Sequence, residues 1–121
     1  MSTTNKAEDI VEQYLDEMLE AEANLDLDGF VKRFEPQDIS GFGESRFKKD
    51  MYAIREDLGG YVSREYLGSL KGFANPDRDD ARPDSVRHVW RGVFEKNETL
   101  IVVGVHESCD VLHVNEFTYR H

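Results

Sequence analysis

The run "SVRHVWRGVFEKNETLIVVGVHESCDVLHVNEFTYRH" (residues 85–121) decides the fold. It is rich in Val, Trp, Phe and Tyr, side chains that pack well on a pleated surface, and short turns at "KNE" and "SCD" divide it into three strand-like segments. Connections that short join antiparallel neighbours, so the run predicts a meander. Just upstream, "YVSREYLGSLKGF" (61–73) reads as a further strand, irregular around Gly68. Between them "ANPDRDDARPDS" (74–85), with Pro76 and Pro83, reads as a solvated loop.

Before residue 60 the period is helical. Asn5 can cap a first helix with Glu8 as its capping-box partner. Ile10, Val11, Tyr14, Leu15, Met18, Leu19 and Leu25 then share one stripe, with the glutamates and Asp16 on the other face, to about residue 24. A short second helix is expected from Asp26 or Asp28, burying Phe30, Val31 and Phe34 and stopping near Pro36. "SGFGES" (40–45) reads as a loop, and Ser45 caps a third helix on which Phe47, Met51, Ile54 and Leu58 recur at three and four. Gly59 and Gly60 end it. Helices over about 5–58 followed by a meander over about 61–120 predict one α+β domain spanning 1–121. Its three N-terminal helices pack on one face of a curved, mainly antiparallel four-stranded sheet.

Composition narrows the function. A chain of 121 residues can bury roughly two-thirds of its unfolded surface and needs no disulfide or metal staple. Twenty-five acids against fifteen bases give a formal charge of −10, so nucleic acid and anionic membrane surfaces are not expected partners. No apolar run approaches a membrane span, and the start "MSTTNKAEDIVEQ" lacks the apolar core of a signal peptide. The expected location is cytoplasmic. Cys109 is the single cysteine and sits between Glu107 and Asp110, whose charges disfavour a thiolate.

The long first helix, "NLDLDGFVKRFEP" (24–36) with its short helix, a third helix ending in "LGG" and the closing sheet together resemble the NTF2-like (cystatin-related α+β cone) superfamily. The stretch "HVWRGVFEKNETLIVVGVHESCDVLHVNEFTYR" (88–120) is similar to the last three strands of its small uncharacterised members. The resemblance implies a cone-shaped sheet. It spans isomerases, dehydratases, epoxide hydrolases, transport factors and plain binding or dimerising modules, and fold alone does not choose among them.

Three motifs carry chemistry in principle. Asn24, Asp26, Asp28, Gly29 and Glu35, with Val31, match the spacing of a calcium loop. Leu25 and Leu27 occupy its polar positions, Pro36 and "SGFG" deny it an exiting helix, and "DRDDARPDSVRH" (77–88) has Arg82 and His88 where a paired loop needs Gly and Glu. The stretch is expected to be a helix connection in which the acids cap the second helix. His106 and His113 would face each other if the turn is two residues, Cys109–Asp110, yet zinc needs further ligands that only Glu107 or Glu116 could supply. No metal and no cofactor are expected. Enzymes of the resembled fold place Asp, His and Tyr groups in an apolar cavity. His88 shares a strand face with Trp90 and Phe94, and Tyr14 could reach that cavity from the first helix. Tyr14, Met18, Phe34, His88, Trp90 and Phe94 are therefore the pocket candidates.

On the opposite strand faces lie Val89, Val93, Val102 and Leu100, interrupted by Arg87 and Arg91, which could pair with acids across a two-fold axis. The sequence thus predicts a non-catalytic module that forms a homodimer through its sheet and holds a small apolar ligand in its cone. The alternative is a cofactor-independent isomerase, dehydratase or hydrolase using His88 and Tyr14.

Overall fold

Helical period gives way to strand period near residue 60, and the chain folds accordingly. A computed structural model describes residues 5–71 and 85–120. The expected acidic loop up to residue 84, His121 and the capping side chain of Asn5 lie outside the described residues. Helices α1 (Asn5–Ala23), α2 (Leu27–Val31) and α3 (Glu44–Leu58) precede strands β1 (Tyr61–Lys71), β2 (Val86–Phe94), β3 (Glu98–Ser108) and β4 (Val111–Arg120). The strands pair antiparallel in the order β1-β2-β3-β4, so the fold is α+β with an open four-stranded antiparallel sheet. Among the described residues no helix is long and apolar enough to cross a membrane.

Register places Trp90 between Tyr66 and Ile101, and His88 between Ser69 and Val103. The two-residue alternation then turns His88, Trp90, Phe94, Ile101 and Val103 to one face, where all are buried. Ladder irregularities after Tyr61, Tyr66 and Gly104 locally bend and twist the sheet. At the β3–β4 corner Cys109 and Asp110 both have positive φ, 54° and 63°, the twist that a two-residue hairpin needs. His106 accordingly faces His113.

Helix α1 lies against the inner face, burying Val11, Leu15 and Met18. Polar bonds fix its position. Trp90 Nε1 donates to Glu12 (2.9 Å), Tyr14 Oη donates to the Leu112 carbonyl (3.0 Å), and Arg64 bridges Glu12 (2.7 Å) and Asp16 (2.8 Å). The turn after α1 closes with Leu25 at φ 54° and Asp26 N–H on the Ala21 carbonyl. The Asp26 carboxylate then accepts from the Gly29 N–H and caps α2. Residues 27–31, the middle of the would-be calcium loop, are helical. The stretch is a helix connection.

Some boundaries differ from expectation. Helix α2 ends at Val31, before Pro36, and Pro36 instead opens a single 3-10 turn, Pro36–Ile39, where its missing N–H is no loss. Helix α3 starts at Glu44 with Gly43 at the cap, two residues before the expected Ser45 cap. The chain at Phe34 also adds a parallel bridge to Val114, so residues 33–34 run beside β4.

Candidate functional site

The aromatic residues of the helical half and of β4 converge on one opening. Phe30 stands 5.2 Å from Phe47, 5.4 Å from Phe117 and 6.1 Å from Phe34, ring centre to ring centre, and Phe117 packs edge-on against Tyr119 at 5.2 Å. Alternation along β4 brings Phe117 and Tyr119 to the same side, and helical spacing brings Phe47, Met51 and Ile54 to face them. Between them lies a cavity of about 650 Å³, within the range of small-molecule sites. A second space of about 510 Å³ adjoins it, and Glu22, Met51, Ile54 and Tyr119 line both.

Glu22 is the chemical feature of this wall. It is only 7% exposed. Tyr119 Oη donates to its Oε1 at 2.5 Å, while Oε2 is buried with no hydrogen-bond partner among the described residues. Burial disfavours the carboxylate, and Tyr119 and Arg55 only partly restore it, so the Glu22 pKa is raised to about 7. The Tyr119 phenol is pushed up by the same burial and by Glu22 beside it. Thr118 Oγ1 is likewise buried and unpaired among the described residues. Arg55 secures the end of α1 by donating to the carbonyls of Glu22 and Ala23 at 2.8 Å.

The six expected pocket residues do not share one space. Phe34 lines the larger cavity and Phe94 the smaller. Tyr14, Met18 and Trp90 are packed in the core and line neither of these two. His88 is buried farther along β2, its Nδ1 2.9 Å from Tyr66 Oη, and its pKa is lowered by burial. Glu22 and Tyr119 were not among the expected residues. The charge pattern puts Glu22 with the other glutamates on the solvent face of α1, yet it follows Val11, Leu15 and Met18 at intervals of four, three and four on the buried stripe. A lone acid on an apolar stripe was the signal.

A second polar cluster lies beside β4. His106, 4% exposed, holds Glu35 Oε1 at 2.5 Å through Nε2, and Asn115 Nδ2 reaches its Nδ1 (2.8 Å) and Ser85 Oγ (3.2 Å). The His106 bond keeps the Glu35 carboxyl below its ordinary range. Glu35, Asp38 and His106 each offer a ligand atom within 4.8 Å of the others. Between His106 and Glu35 the 2.5 Å contact is a short hydrogen bond. On the outer face of the sheet, Arg91 pairs with Glu65 (3.2 Å) and Glu98 (3.0 Å), and Arg87 with Glu116 (2.8 Å). The arginines expected to reach across a two-fold axis thus have partners inside the chain, because cross-strand neighbours bring acids within reach.

No family model, no curated protein and no solved structure matches this chain.

Proposed function

We propose that the chain is a non-catalytic, NTF2-like binding domain that holds a small, mainly apolar molecule in the cavity between α3, the 3-10 turn and β4. The supporting observation is an aromatic-walled space of about 650 Å³ with one buried carboxyl oxygen left unpaired at its wall. Apolar walls supply affinity and a single polar group fixes orientation. Native mass spectrometry of the purified protein and titration with 8-anilinonaphthalene-1-sulfonate test it. Ala53 is exposed on α3 at the cavity wall, so Ala53→Trp should obstruct the space without disturbing the core. Dye fluorescence should rise with the native chain and fall at least severalfold with the variant; equal signals would dismiss the cavity as the binding place.

The same reading has two copies meeting through the outer face of the sheet. Val89 and Val93 are half-buried there and Leu100 is 40% exposed, between the arginine ion pairs. Sedimentation should give a dimer mass that Leu100→Glu converts to a monomer; a native monomer would end this part of the proposal.

Glu22 also favours the second reading, a cofactor-independent isomerase, dehydratase or hydrolase. An acid with pKa near 7 both gives and takes protons at neutral pH. In this reading Glu22, rather than His88 or Tyr14, is the acid–base group. Glu22→Gln would then abolish turnover of a bound molecule while leaving it bound.

A further inference from the structure

The cavity proposed above as a ligand site is not electrically neutral. Three acidic residues, Glu22, Asp38 and Asp50, line it with Arg46, and the Arg55 guanidinium acts on Glu22 from the adjoining space. Asp50 has its own cation, Arg46 at 3.8 Å. Glu22 differs. It has no salt-bridge partner among the described residues, its Oε1 is taken by the Tyr119 hydroxyl, and its Oε2 is buried and unpaired. A buried acceptor without a donor is costly, and a ligand that brings the donor removes that cost.

The remaining wall is aromatic. Ring faces are the negative ends of the aromatic quadrupole and attract cations as well as apolar surface. One ring already does so: Arg46 lies over Phe42 at 5.8 Å from its centre. The chain as a whole carries −10, which raises the local concentration of cations and repels organic anions.

We infer that the cavity takes a hydrophobic amine, its ring or chain among Phe30, Phe47 and Phe117 and its ammonium group at the Glu22 carboxyl, whose buried Oε2 turns toward it on binding. The inference rests on the reading of the cavity as a ligand site and adds the ligand's charge. The carboxyl is already out of water in the folded chain, so binding must dehydrate only the amine. A neutral alcohol of the same shape offers a weaker donor, and a carboxylate of that shape meets Glu22 with like charge.

Three probes of one shape separate the possibilities: 1-naphthylmethylamine, 1-naphthalenemethanol and 1-naphthoate. They are titrated calorimetrically at about pH 8, where the amine is charged and Glu22 mostly ionised, and at high salt to screen the chain's net charge. The amine should bind about tenfold tighter than the alcohol, a ratio typical of one charge-assisted hydrogen bond, and the naphthoate most weakly. Glu22→Gln, which still accepts from Tyr119, should bring the amine down to the alcohol's level. Arg46→Gln, a change in a side chain that is 70% exposed, should strengthen the amine and leave the fold intact. An amine preference that survives Glu22→Gln, or an alcohol that binds as tightly as the amine, would overturn the inference while leaving the ligand site standing. Binding of none of the three would overturn both.

Discussion

Glu22 shows what one misplaced charge does to a helix face. Its pKa of about 7 in the folded chain stands above the ordinary 4.5, so between those values the folded state holds a proton that the unfolded state has lost. Its contribution to stability is therefore complete below about pH 4.5, falls as pH rises, and is gone above about 7. The size is about 3 kcal/mol, from about 1.4 kcal/mol per pH unit across that window. Glu22→Gln removes the titration and keeps an acceptor for Tyr119. Urea midpoints measured from about pH 4 to 8 should decline more steeply for the native chain than for the variant. Parallel profiles would mean that Glu22 ionises without penalty. The residue was legible as an acid on a buried stripe. Its partner was not, because Tyr119 lies 97 positions away on the last strand.

Among the elements, the β3–β4 hairpin was the most readable. Two strand patterns placed a turn at "SCD" and left its register open; the structure has the two-residue turn Cys109–Asp110, which sets His106 opposite His113. Both turn residues have positive φ without being glycine, which strains each of them. Asp110→Gly relieves one and should raise stability by about 0.5–1 kcal/mol, read as a higher urea midpoint at unchanged slope. A lower midpoint would show that the Asp110 side chain stabilises the turn by more than its backbone strains it. The 24–36 stretch was legible for a related reason. Leu25 and Leu27 in a loop otherwise made of acids marked an apolar corner, and Asp26 caps the five-residue helix. The 3-10 turn at Pro36 was not legible: Pro36 followed by a loop fits a helix stop equally well, and only the route of the chain past β4 distinguishes them.

At the scale of the whole molecule, helix α1 is tied to the sheet by Arg64, which is 15% exposed at its side chain and holds both Glu12 and Asp16. Glu12 in turn accepts from Trp90, so one network spans helix, first strand and second strand. Arg64→Met should destabilise the fold by about 1.5–3 kcal/mol, the range for hydrogen bonds to charged groups. It should also speed amide exchange in α1 more than in β3. Uniform acceleration would show that the clamp acts on the molecule as one unit, not on the docking of α1.

By itself the sequence determined the element types and their order, since periods of 3.6 and 2 are local properties that each segment expresses whatever its neighbours are. It also determined the face of β2 that is buried, because Trp90 and Phe94 alternate with Arg91. Only the tertiary structure decided where empty space remains. Trp90 and Met18, expected as pocket residues, fill the centre of the core, while the cavity opens toward α3 and β4, where Phe30, Phe47, Phe117 and Tyr119 meet from three separate segments. Packing density is set jointly by side chains distant in sequence, so no local pattern records where it fails.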